Sequence, residues 1–75
     1  MLDFNKRLRD IRVDTGQTQK HVAKKIAISE NAYSDLENKK CNPSVDTLIK
    51  LCKYFNVSSD YLLGISDEQT YLKAN

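Results

Sequence analysis

His21, Cys41 and Cys52 are the side chains best suited to metal binding or nucleophilic chemistry, and their spacing suits neither. The cysteines stand eleven residues apart, which matches no zinc-ligand spacing and no redox Cys-x-x-Cys pair, so both read as reduced structural thiols. His21 has no second histidine, cysteine or acid at ligand spacing and reads as a solvated side chain at a helix start. There is no glycine-rich phosphate loop, no Gly-x-Ser-x-Gly elbow and no carboxylate pair in an apolar pocket. An enzyme, a metal centre and a cofactor site are therefore not expected. What remains is "SENAYSDLENKK", residues 29–40, where Glu30, Asp35 and Glu37 alternate with Asn31, Ser34 and Asn38 before Lys39 and Lys40. Such groups donate and accept hydrogen bonds without making covalent bonds, which is the chemistry of recognition.

A chain of 75 residues supports one small domain, near the size at which a single core stabilises a fold only marginally. With 40% hydrophobic and 29% charged residues, two glycines and one proline, it is expected to fold as a globular protein. Apolar runs are too short to span a bilayer, and "MLDFNKRLRD" is not a signal peptide, so the expected location is cytoplasmic, with no membrane partner. Charge is uneven. Residues 1–40 hold nine Lys/Arg against six Asp/Glu, net +3, whereas residues 41–75 are net −1, which together give the overall +2. The asymmetry favours an anionic partner for the first half, although solvated helix faces account for most of these charges equally well.

The elements that must position these groups are helices. Phe4, Leu8 and Ile11 recur at steps of four and three, predicting an amphipathic helix over about residues 4–15 that Gly16 stops. Thr18 caps a second, short helix with Val22, Ala23 and Ile26 on one stripe, ending at Ala27 and Ile28. Ser29 caps a third, whose only large apolar residues, Tyr33 and Leu36, leave its other faces exposed. "CNPS" is a loop from which Ser44 caps a fourth helix, with a stripe of Val45, Leu48, Ile49, Cys52 and Phe55 that Leu51 widens. Ser58 caps a last short turn that Gly64 stops. The expected fold class is all-α, a compact five-helix bundle over residues 1–65, followed by a short polar tail, residues 66–75.

Residues 19–38 place Val22, Ala23, Ile26, Ile28, Tyr33 and Leu36 among polar neighbours, as two short helices crossing over a tight turn require. Ala23 is small because a longer side chain at the point of closest approach would hold the two axes apart. With "RLRDIRVDTGQTQKHVAKKI" before and "NPSVDTLIKLCKYFNVSSDYLLG" after, the pattern resembles the Xre family of helix-turn-helix regulators, which includes the lambdoid phage repressors and Cro proteins. The resemblance covers residues 4–64. It implies a lambda repressor-like DNA-binding domain whose third helix lies in the major groove of double-stranded DNA. Carried over residue by residue, it makes Gln19 a backbone contact, Glu30, Asn31, Ser34 and Asp35 the groove face, and Asn38, Lys39 and Lys40 a phosphate loop. The caps Thr18 and Ser29 stand beside them in the contact set.

The resemblance also divides the three acids. Glu37 matches an inward acidic residue that pairs with an arginine of the first helix, here Arg12, and is structural. Glu30 and Asp35 face the groove, where a carboxylate can only accept, so the exocyclic amine of cytosine suits it and phosphate repels it. Two positions depart from the family pattern. Ala27 and Lys39 stand where glycine is usual, so the turn after Ile26 is either strained or differently shaped.

The expected function is sequence-specific DNA-binding regulation, most simply repression by a homodimer at a palindromic operator, because one recognition helix reads only a few base pairs. Leu62, Leu63, Ile65, Tyr71 and Leu72 are more apolar surface than the end of a five-helix core needs, which makes them the candidate dimer contact. No small-molecule ligand is evident. The alternative is a protein-interaction module, antitoxin-like or an adaptor, built on the same fold.

Overall fold

Short hydroxyl side chains start four of the five helices among the described residues. The computed structural model describes residues 4–38 and 42–65, in the order α1 (Phe4–Asp14), α2 (Gln19–Lys25), α3 (Glu30–Asn38), α4 (Val45–Phe55) and α5 (Ser59–Leu62). Thr18, Ser44 and Ser58 are N-caps in extended backbone conformation, and each accepts a hydrogen bond from the backbone N–H three residues on. Ser29 does the same for Ala32, at 3.0 Å. Each bond satisfies one of the donors that a first helical turn leaves without a partner. No strand forms among the described residues, and none of their helices is long and apolar enough to cross a membrane.

The same device ends four helices. Beyond α1, α2, α4 and α5 one residue turns left-handed, at Gly16 (φ 71°), Ala27 (φ 61°), Asn56 (φ 57°) and Gly64 (φ 79°). In each case the N–H of the next residue reaches back five positions: Gln17 to Arg12, Ile28 to Ala23, Val57 to Cys52 and Ile65 to Asp60. This is the Schellman closure, which satisfies helix carbonyls that would otherwise lack donors. Glycine adopts that conformation freely and asparagine tolerates it, whereas Ala27 carries a Cβ penalty. Of the two shapes open to the turn after Ile26, the strained one is present.

The core gathers Phe4, Leu8 and Ile11 of α1, Val22, Ala23 and Ile26 of the α2 region, and Tyr33 and Leu36 of α3. Leu51, Cys52 and Phe55 of α4 close it, together with Val57 and Leu62. Fully burying a leucine, valine or phenylalanine contributes roughly 1.5–3 kcal/mol, so these residues supply most of the drive to fold. Arg7 ties α1 to α5 by donating from Nη1 to the Tyr61 carbonyl at 3.0 Å, with its guanidinium 4.7 Å from the Tyr61 ring centroid.

Two expectations from sequence need correction. The α4 stripe is centred on Leu51 and Phe55, and it leaves Val45 73% and Ile49 46% exposed. At about 100° per residue, Ile49 lies a quarter-turn beyond Leu48, and a helix can turn only one side to so small a core. Leu62 is 0% exposed and packs in the core, so it offers nothing to a partner molecule. Leu63 is half-buried and Ile65 is 72% exposed, while Tyr71 and Leu72 lie outside the described residues.

Candidate nucleic-acid interface

α3 is two-faced because its polar and apolar residues separate at helical spacing. Tyr33, Leu36 and Glu37 turn inward and are buried. Glu30, Asn31 and Asn38 are exposed, and Ser34 and Asp35 are half-buried. Asn38 donates from Nδ2 to Ser34 Oγ at 2.9 Å, so these two residues, one turn apart, hold each other along the outer face. Glu30 sits in the first turn, where the helix dipole favours an anion, and this gives it a structural reason as well as a recognition one. Lys39 and Lys40 lie outside the described residues.

α2 enters beside this face. Thr18 Oγ1 accepts from the His21 N–H at 3.1 Å, and Gln19 follows as the first helical residue. Thr18 and Ser29 are therefore engaged as caps, each at the start of one of the two crossed helices. The short turn closed at Ala27 joins the two helices, and Ala23 of α2 is buried, where its small side chain suits close helix packing.

Behind both helices lies a polar network. The Glu37 side chain has no solvent exposure, and Arg12 grips it with two bonds, Nε to Oε2 at 2.7 Å and Nη2 to Oε1 at 3.0 Å. Arg12 Nη1 also donates to the Gln17 carbonyl at 2.9 Å. Gln19 adds a third donor to the carboxylate, Nε2 to Oε1 at 3.0 Å. Tyr54 Oη donates to Gln17 Oε1, which links α4 to the residue before the Thr18 cap. Arg12 of α1, Glu37 of α3 and Gln19 of α2 thus meet at one buried carboxylate.

Burial alone would raise the Glu37 carboxyl, but Arg12 above all, with the neighbouring Tyr33 hydroxyl and Gln19, outweighs it and holds the group below the usual carboxylate range. The hydrogen bond with Glu37 correspondingly raises the already high Arg12. Burial, reinforced by the charge of Glu37, pushes the Tyr33 phenol far up, so it stays protonated. Its hydroxyl is buried with no hydrogen-bond partner. Burial likewise raises the Cys52 thiol, which disfavours the reactive thiolate. No group of His, Cys, Asp and Glu able to hold a metal ion occurs among the described residues.

Two parts of this arrangement escaped sequence reading. Gln19 turns its amide inward to Glu37 as well as standing where the DNA backbone is expected, and Gln17 is drawn into the network by Tyr54. The available signal was that a buried carboxylate has more acceptor sites than one arginine fork fills, and it therefore recruits a further donor.

A helix-turn-helix family model matches residues 8–62. The transcriptional regulator ImmR of Bacillus subtilis is 44% identical over 63 residues, a match covering 84% of this chain and 50% of ImmR. The cryptic phage CTXphi transcriptional repressor RstR of Vibrio cholerae is 33% identical over 67 residues, covering 89% of this chain and 59% of RstR. Among solved structures, the N-terminal DNA-binding domain of SinR from Bacillus subtilis superposes with a TM-score of 0.74 at 27% identity, covering 81% of this chain and 90% of that domain. The chain spans about half the length of ImmR, and ImmR and RstR are both named as regulators of transcription. With the five-helix order, the crossed α2 and α3 and the inward Arg12–Glu37 pair already described, these matches place the chain in the Xre-type helix-turn-helix family of transcriptional regulators.

Proposed function

We propose that the protein regulates transcription by binding a specific double-stranded DNA site through α3, that it acts as a repressor, and that it binds a palindromic operator as a homodimer. The observation that carries this reading is the outer face of α3. Glu30, Asn31 and Asn38 stand exposed there, with Ser34 and Asp35 half-buried, on a helix whose opposite side is locked into the core. A rigid helix with a polar face of that width fits the major groove, where asparagine suits adenine and a carboxylate suits cytosine. Gln19, Thr18 and Ser29 at the helix starts, and Lys39 and Lys40 after α3, are assigned to the DNA backbone.

Repression is supported by the likeness to RstR, which is named a transcriptional repressor. A homodimer follows from economy of recognition, since two half-sites about 34 Å apart, one DNA turn, give the specificity that one helix lacks. Ile65 and the half-buried Leu63 are assigned to the dimer contact, with Tyr71 and Leu72 beyond them.

Selection of bound duplexes from a random pool by the purified protein tests all of this at once. The expected result is one enriched palindrome whose half-sites are one turn apart. Enrichment of a single asymmetric site would remove the symmetric dimer. An unenriched pool would remove sequence reading and leave the protein-interaction module.

A further inference from the structure

The geometry points to Glu37 as a positioning residue for DNA binding, one that fixes which end of the Gln19 carboxamide is available to the duplex. The inference rests on the DNA-binding reading above and names a determinant of it. A glutamine amide has an accepting oxygen and a donating nitrogen of nearly equal size, so packing alone does not choose between them. A phosphate oxygen only accepts, and the wrong end of the amide repels it.

Here the choice is made by charge. Gln19 Nε2 lies 3.0 Å from Glu37 Oε1, and an ionised carboxylate has no proton to give, so the nitrogen end must face it. Flipping the amide would set two acceptors against each other at that distance. The carboxylate cannot rotate to relieve this, because Arg12 holds both of its oxygens while its third nitrogen is anchored on the Gln17 carbonyl. Gln19 is only half-buried, and Nε2 carries a second N–H beyond the one given to Glu37, which is the donor the inference assigns to a phosphate. The Arg12–Glu37 pair therefore does more than join α1 to α3. Through Gln19 it prepares the start of α2 as a donor before any DNA arrives, which lowers the ordering cost of the contact.

A double-mutant cycle on DNA affinity tests this, using Gln19→Ala, Glu37→Gln and the double variant on the selected duplex, below the melting temperature of each. Gln19→Ala is expected to weaken binding about tenfold in the wild-type background, the scale of one hydrogen bond to a charged group, and to leave the salt slope unchanged because glutamine carries no charge. In the Glu37→Gln background the same change should cost about fivefold or less, because an amide free to flip presents its donor only about half of the time and has already lost about twofold. Equal losses in both backgrounds would show that Glu37 is structural only, and the inference falls while the DNA-binding reading stands. Wild-type protein that prefers no duplex would overturn that reading and the inference with it. A measurement on the free wild-type protein keeps the question decidable if Glu37→Gln does not fold. The Gln19 side-chain amide in a nitrogen-15 NMR spectrum should show one proton shifted and protected from exchange, and two freely exchanging protons at ordinary positions would overturn the inference.

Discussion

At the scale of residues, the buried carboxylate of Glu37 is the group on which most depends. It accepts from Arg12 twice and from Gln19 once, and it has no exposed surface. Removing one partner strands the other charge, which costs roughly 3 kcal/mol, whereas an apolar replacement of both can be near neutral. Glu37→Ala and Arg12→Ala should therefore each lower the thermal midpoint clearly, and Arg12→Met with Glu37→Leu should lower it less than either. Two harmless single variants would show that the pair contributes nothing. The depressed titration of Glu37 also fixes a pH response. Its stabilisation is complete above the ordinary carboxylate value of 4.5 and is lost as pH falls through the lower folded value. Glu37→Gln should remove that part of the acid limb from a plot of stability against pH.

At the scale of elements, four helices close on a left-handed residue, and only α2 closes on an alanine. This turn also joins α2 to α3, so strain is stored where the one helix is set against the other. Ala27→Gly should raise the denaturant midpoint by the equivalent of about 1 kcal/mol, through relief of the Cβ contact set against the greater freedom of glycine when unfolded. Asn56→Gly should give less, because asparagine tolerates the same backbone better. A midpoint that falls for Ala27→Gly would mean that alanine makes a contact worth more than the strain.

At the scale of the whole molecule, the acids on α3 and the lysines after it should separate specificity from affinity. Glu30→Gln and Asp35→Asn remove charges that phosphate repels, so binding to scrambled duplexes should tighten. The preference for the selected site should then shrink by about 1–3 kcal/mol for each base no longer read. Lys39→Ala and Lys40→Ala should instead weaken all sequences alike and reduce the salt slope by about one unit per phosphate neutralised. Titrations at several salt concentrations separate these outcomes, and an unchanged ratio of selected to scrambled affinity in the acid variants would remove the two acids from recognition. Ile65→Asp places a charge on the exposed end of the described chain and should shift any dimer toward monomer in sedimentation, with a steeper loss on the palindrome than on one half-site.

Local chemistry made most of the architecture legible beforehand. Thr18, Ser29, Ser44 and Ser58 announce helix starts because a short hydroxyl side chain can accept from the turn that follows it, and Gly16 and Gly64 announce ends because few other residues adopt their backbone. The polar face of α3 was readable for the same reason, since a lone Tyr33–Leu36 edge leaves the rest of the helix outside. What local pattern could not supply was the choice among apolar residues competing for one small core. Val45 and Ile49 read as part of the buried stripe and Leu62 as spare apolar surface, yet Leu62 is buried and the other two are exposed, because α4 can turn just one side inward and α5 packs its leucine into the same core. Nor could spacing show that Gln19, eighteen positions from Glu37, would share its carboxylate with Arg12. That meeting exists only because α1, α2 and α3 converge there, where a charge shut away from water must be met by donors from the chain itself.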